Sequence, residues 1–186
     1  MAQPEGYRKT ARLMKMAEDF DLPLISFIDT PGAYPGIESE ERGMSEAIAK
    51  NLSLLSNLKT PVIVIITGEG GSGGALAIGV GDHVCMLEHS IYAVASPEAC
   101  ASIVWRDGSK AKDAAEAMKV DASSLQNLGL VDQVIKEPLG GAHRDLRGVS
   151  NSISQVIEEK LLTFDEIDIS DLLDKRYEKI MSYGSI

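Results

Sequence analysis

Two uninterrupted apolar runs recur at one spacing and decide most of what this chain can fold into. Pro23-Leu-Ile-Ser-Phe-Ile28 precedes the loop DTPGAYPG, and Pro61-Val-Ile-Val-Ile-Ile66 precedes the loop GEGGSGG. Pro23 and Pro61 stand 38 residues apart, as do Gly32 and Gly70. A short run with almost no polar interruption is the pattern of a strand buried on both faces. Leu13, Met16, Ala17 and Phe20 mark a helical face before the first strand, and Ile48, Leu52 and Leu55 mark one before the second. Helix, buried strand and glycine loop, repeated in register, predict an α/β domain with parallel strands. Both loops then fall at strand carboxyl ends, where open α/β sheets bind their ligands.

The remaining chain extends the pattern. HVCML (83–87), SIYAVA (90–95) and LVDQVIKE (130–137) read as further strands. Ser96-Pro97-Glu98 is a helix start, with a capping hydroxyl, proline at the first position and an acid in the first turn. From residue 144 two helices are expected, the second capped by Ser170, and the acidic run 165–174 reads as a solvated face. Apolar residues make up 44% of 186, enough for one core and a single domain.

Charge and cysteine usage exclude several classes. The net charge is −10 with no basic block, which argues against nucleic acid and anionic membrane surfaces as partners. Cys85 and Cys100 form no CxxC, and His83, His89 and His143 are scattered, so neither a disulfide framework nor a metal site is expected. That usage fits a reducing cytoplasm. The opening MAQPEGYRKTARLMKMAEDF has no signal-peptide core. Residues 60–81 are long enough for a span but carry Glu69 and seven glycines.

The glycine cluster fits several motifs. Gly68-x-Gly70-x-x-Gly73 follows a strand, and Glu88 lies twenty residues on, as a dinucleotide fingerprint requires. The helix from Gly73 to Val80 would run only about 12 Å, too short to cross back along a strand. Gly70-Gly71-Ser72-Gly73-Gly74 fits a nucleophile elbow, with Asp132 and His143 following in hydrolase order. A P-loop fails because Ala75 stands where lysine is required. In a third reading the glycines let backbone approach a ligand, and N–H groups at the following helix start stabilise negative charge as an oxyanion hole. DTPGAYPG would add donors from the neighbouring strand end.

FIDTPGAYPGIESEERG, GEGGSGGALAIGVGD, SPEACASIVWR and EPLGGAHRD, in this order and spacing, resemble the α subunit of bacterial acetyl-CoA carboxylase carboxyltransferase. QPEGYRKTARLMKMAE and RYEKIMSYG are similar too, so the resemblance covers essentially the whole chain. Ala99 departs from the glycine expected in the family's SPEG, a change that a helix tolerates. Family members extend further before QPEG, so the chain resembles a fragment, or one whose start is displaced.

The resemblance implies a crotonase-like spiral of β-β-α repeats over residues 1–143, incomplete at its N-terminus, with a C-terminal helical extension over 144–186. It implies transfer of a carboxyl group from carboxybiotin, held on biotin carboxyl carrier protein, to acetyl-CoA, giving malonyl-CoA for fatty-acid synthesis. The partner would be a zinc-bearing β subunit, in an α2β2 assembly, with no metal in this chain. Backbone N–H groups at Gly73, Gly74, Gly32 and Ala33 would stabilise charge on the ureido oxygen, and no protein base is required. Gly70, Gly71 and Ser72 would line the substrate pocket. Tyr34 either lines the biotin tunnel or is a turn aromatic. Arg106 aligns with a cation that meets a carboxylate in related carboxyltransferases; alternatively it is a surface arginine ending a helix. Glu38, Glu40 and Glu41 read as first-turn helix acids, Asp29 as an Asx turn, and Trp105, Cys85 and Cys100 as packing residues. A serine hydrolase using Ser72, or a scaffold subunit without catalysis, are the alternatives.

Overall fold

The computed structural model describes residues 1–184. In chain order its main elements are α1 (Pro4–Asp19), β1 (Leu24–Thr30), α2 (Ile37–Glu41), α3 (Met44–Asn57), β2 (Val62–Gly71) and α4 (Ser72–Leu76). They continue with β3 (His83–Leu87), β4 (Ile91–Ala93), α5 (Pro97–Trp105), α6 (Ala111–Met118), α7 (Ala122–Asn127), β5 (Gln133–Ile135), α8 (Leu146–Asp165) and α9 (Ile169–Ser182). The sheet order is β1-β2-β3-β5, with β4 pairing the far end of β2, and every strand pairing is parallel.

The sequence repeat is the register of the sheet. Leu24 pairs with Val62 and each residue through Ile28 with Ile66 keeps the same offset of 38. Period-two alternation then sends β2 side chains to two cores. Val62, Val64 and Ile66 join Ile28, Met86, Met14 of α1, Leu55 of α3 and Leu125 of α7. Ile63 and Ile65 face the other way, against Cys85, Leu87, Ile135 and Val149 and Val156 of α8. All five β2 residues are fully buried. At about 1.5–3 kcal/mol for each buried aliphatic side chain, this strand dominates the cohesion of the domain.

Several expectations need correction. In α1 the buried residues are Pro4, Tyr7 and Met14, whereas Leu13, Met16 and Phe20 are 44%, 42% and 69% exposed. Both stripes have helical spacing, and the inward one sets Tyr7 against Met44, Ala47 and Ala77 and Met14 into the main core. SIYAVA and LVDQVIKE each contribute only three strand residues. Ser170 lies inside the first turn of α9; its N-cap is Asp168, whose side chain makes no capping bond. Trp105 is 41% exposed at the end of α5 and does not belong to the core.

Other local readings hold. Ser96 caps α5, its hydroxyl accepting the Ala99 N–H at 3.2 Å. Glu38 and Glu40 occupy the first turn of α2. Cys85 is fully buried, which pushes its thiol up to about 12. Among the described residues, no helix is long and apolar enough to cross a membrane.

A buried ion pair anchors the C-terminal helices, and nothing in the sequence reading marked it. Arg176 of α9 is 1% exposed. Its Nε and one terminal nitrogen donate to the two carboxylate oxygens of Asp82 at 2.8 and 2.7 Å. Its remaining N–H groups reach the carbonyls of Leu55, Leu58 and Thr60 at 2.8, 2.7 and 3.0 Å. Those carbonyls end α3 and lead into β2, so one guanidinium closes the joint between helix and central strand.

Candidate functional site

The site forms where β2 changes partners. β3 pairs β2 up to Ile66, and β4 pairs it from Glu69 to Gly71. Between them the register against β1 slips: Ile28 faces Ile66, but Thr30 faces Gly70, so Thr67–Glu69 bulge past a single residue, Asp29. The bulge is pinned on both sides. The Thr67 hydroxyl donates to the Ile28 carbonyl at 3.3 Å, and the Glu69 N–H donates to Asp29 Oδ1 at 3.0 Å. Asp29 does bond backbone, though across the sheet and not in a local Asx turn.

Past the bulge the two glycine loops meet backbone to backbone. A Cβ on Gly71 would overlap the Pro31 carbonyl and come 3.0 Å from the Gly32 nitrogen. A Cβ on Gly74 would overlap the Ala33 nitrogen and the Gly32 carbonyl carbon. Only glycine permits this approach. Gly70 has a different neighbour: the Tyr92 ring occupies the space a side chain would need, 2.7 Å from the Cβ position. Burial holds the Tyr92 phenol above its usual range, so it stays neutral at neutral pH. By contrast, a Cβ on Gly73 would meet only Ile48, at 3.6 Å.

Ser72 turns the chain from β2 into α4 with φ +52°, a left-handed conformation unusual for a residue with a side chain. Gly73 and Gly74 follow in the first turn, where backbone N–H groups lack intrahelical acceptors. Ser72 lies between two cavities. One, of about 340 Å³, is lined by Pro31, Gly70, Gly71, Ser72, Ala93 and Pro97 among others. The second, of about 250 Å³, is lined by Ser72, Gly73, Leu76, Tyr92, Leu125 and Leu130 among others.

Of the expected site residues, Gly32, Ala33, Gly70, Gly71, Ser72, Gly73 and Gly74 are brought together. The Gly32 N–H donates to the Thr30 hydroxyl at 3.3 Å. Gly73 lines the second cavity, whereas Gly74 is buried against the first loop. Tyr34 and Arg106 are not brought into either cavity. Tyr34 is 40% exposed, its N–H donating to the Ala2 carbonyl at 3.0 Å and its ring packed over Gly36. Arg106 is exposed at the left-handed C-cap of α5.

The hydrolase reading loses its partners. Asp132 sits at the opposite ends of the strands, accepting the Val84 N–H at 2.6 Å and the Lys179 ammonium at 2.5 Å. His143 lines a separate crevice with Thr67, His89 and Glu137. Among the described residues, no histidine lines either cavity at Ser72. The dinucleotide reading also fails, since α4 is only five residues long. No group of three His, Cys, Asp or Glu among the described residues could hold a metal ion. Sequence reasoning missed Tyr92 and the clamp between the end of α2 and the start of α1, in which Arg42 reaches Glu5 at 2.7 Å and Gln3 at 2.8 Å. An aromatic in a strand-like run and an arginine after two glutamates carry no signal of such roles.

The fold defines the class. It is shared with a chain of the transcarboxylase 12S crystal structure (TM-score 0.67, 23% identity, 82% of this chain and 31% of that one). The β subunit of Pseudomonas aeruginosa geranyl-CoA carboxylase is similar at TM-score 0.67 and 17% identity, over 94% of this chain and 33% of that one. These likenesses establish the crotonase-type α/β fold with its parallel sheet. The chain belongs to the acetyl co-enzyme A carboxylase carboxyltransferase-like family, whose pattern matches residues 1–184. It is 58% identical, over 186 residues, to the acetyl-coenzyme A carboxylase carboxyl transferase subunit alpha of Alcanivorax borkumensis. The subunit alpha of Vibrio cholerae is 58% identical over 184 residues, 99% of this chain. The chain spans 58% of the length of these curated relatives.

Proposed function

We propose that this chain supplies the carboxybiotin side of a carboxyltransferase that makes malonyl-CoA from acetyl-CoA, acting with a β subunit and a biotin carboxyl carrier protein. The observation that carries this reading is the bare backbone meeting of Gly71 and Gly74 with Pro31–Ala33. A cradle that excludes every side chain and presents first-turn N–H groups fits a planar, oxygen-bearing ureido group. Carboxybiotin, when bound, would supply the carboxyl group to be transferred and leave as biotin.

This chain's own part is electrostatic. The N–H groups of Gly73 and Gly74, with Ala33 beside them, stabilise negative charge developing on the ureido oxygen without a titrating side chain. Fixed backbone dipoles need no reorganisation at the moment of reaction. Leu76, Leu125 and Leu130 give the neighbouring cavity apolar walls. Fifty-eight percent identity to subunits named for this activity supports the substrate assignment.

The test is partner dependence. The purified full-length α chain should give no acetyl-CoA carboxylation and no malonyl-CoA decarboxylation, and both should appear on adding the β subunit. Turnover by the α chain alone would sink the reading.

Arg106 sits outside the cavities of this chain, so a carboxylate would reach it only in the assembled enzyme. Arg106→Ala in that assembly is expected to cost about 1.5–3 kcal/mol, or roughly 10- to 150-fold, in kcat/KM for malonyl-CoA. An unchanged kcat/KM would make it a surface residue.

A further inference from the structure

We infer that Asp29 is a positioning residue: its carboxylate fixes the two-residue slip that builds the oxyanion cradle. The inference rests on the backbone-donor reading proposed above and adds a residue to it. Up to Ile28 and Ile66 the strands keep an offset of 38, and from Thr30 and Gly70 the offset is 40. Continued at 38, the pairing would set Pro31 opposite Glu69 and Gly32 opposite Gly70. The slip sets Pro31 against Gly71 and Gly32 near Gly74, the contacts that form the cradle.

Asp29 is the single residue that Thr67, Gly68 and Glu69 bulge around. Its Oδ1 accepts the Glu69 N–H at 3.0 Å. Its carboxyl carbon would lie 2.8 Å from a Cβ on Gly68, so the carboxylate is seated on a bare α-carbon. Bulges otherwise leave backbone groups unpaired and the local register loose. An acceptor at this point holds the Glu69 amide, and with it the first residue of the pairing to β4. The hydrogen bond, not the charge, is what the geometry uses.

The experiment uses the full-length α chain assembled with the β subunit, carrying Asp29→Ala or Asp29→Asn. Two readouts are needed: amide hydrogen exchange at Glu69–Gly71, and kcat and KM for malonyl-CoA decarboxylation. Asp29→Ala should speed exchange at Glu69 about tenfold or more and lower kcat about 10- to 100-fold, with KM within about threefold. Asp29→Asn keeps an acceptor oxygen in place and should hold both readouts within about threefold of the parent. Unchanged exchange in Asp29→Ala would overturn the pinning, and fast exchange with unchanged kcat would overturn its importance to the site. An Asp29→Asn variant as impaired as Asp29→Ala would overturn the hydrogen-bond account in favour of the charge. Exchange is read whether or not the backbone-donor mechanism holds, so failure of that mechanism leaves a distinct signature.

Discussion

Gly74→Ala should cost the assembled enzyme about 10²–10³ in kcat/KM, while Ser72→Ala should cost less than about tenfold. The asymmetry follows from what each side chain meets. A methyl on Gly74 would run into the Gly32 and Ala33 backbone, which cannot rotate out of the way as a side chain could. Either the loop or the first turn of α4 must retreat, and losing one aligned donor is worth roughly 10²–10³ in rate. Ser72→Ala removes only a hydroxyl. It keeps a Cβ at a position already held at φ +52°, and it keeps every N–H. Were Ser72 a nucleophile, its loss would cost on the order of 10⁶. Gly73→Ala is the control within the same turn. Its methyl would meet Ile48 at an ordinary 3.6 Å, so the fold should accept it. Each variant is compared in kcat/KM at a temperature where it is shown to be folded and bound to the β subunit. A dead Ser72→Ala in an intact assembly would overturn the backbone mechanism.

The repeat at 38 residues was a sheet register readable from the sequence, but burial on both faces holds only for β2; β1 is the edge strand, with Ile28 buried and Phe27 54% exposed. The two cores on either side of β2 follow from the same run. The bulge was not legible. Gly32 and Gly70 share the 38-residue spacing, yet the structure does not pair them; a two-residue slip sets Gly70 opposite Thr30. Nothing local announces such a slip, since Thr67-Gly68-Glu69 reads equally well as the start of a loop. The face of α1 was misread for a different reason. Leu13, Met16 and Phe20 outrank Tyr7 and Met14 as an apolar stripe, and only the tertiary packing, with α3 against Tyr7, decides which stripe is covered. The glycines were read as places where backbone approaches a ligand; what the structure sets against Gly71 and Gly74 is the Pro31–Ala33 backbone, a tertiary contact that no local signal announces. Tyr92 beside Gly70 shows the limit: the same absence of a side chain admits loop backbone at Gly71 and Gly74 and an aromatic ring at Gly70.

Replacing Arg176 with methionine should destabilise the full-length chain by about 3–5 kcal/mol, the range found when one partner of a buried ion pair is removed. Against a total of about 5–15 kcal/mol for a typical domain, that is a large fraction. The guanidinium uses all five of its N–H groups, two on Asp82 and three on the carbonyls of Leu55, Leu58 and Thr60. Methionine fills much of the volume but takes the donor from the Leu58 and Thr60 carbonyls, leaves the Leu55 carbonyl only the 3.4 Å bond from the Leu58 N–H, and leaves Asp82 only the Val62 N–H at 2.7 Å. Arg176→Lys should recover little, because a point-like ammonium with three donors cannot span a planar fork with five. The pair's own contribution is isolated by adding Asp82→Asn. The double variant should be more stable than Arg176→Met alone, since it no longer buries an uncompensated carboxylate. Urea midpoints with unchanged m-values would measure the three free energies. A loss below about 1 kcal/mol for Arg176→Met would mean that desolvation of the guanidinium cancels its five bonds. Because the joint it closes lies at the amino end of β2 and the cradle at the carboxyl end, kcat per folded molecule should stay within about twofold of the parent. A selective fall in kcat at full occupancy of the native state would instead tie the C-terminal helix to the chemistry through the central strand.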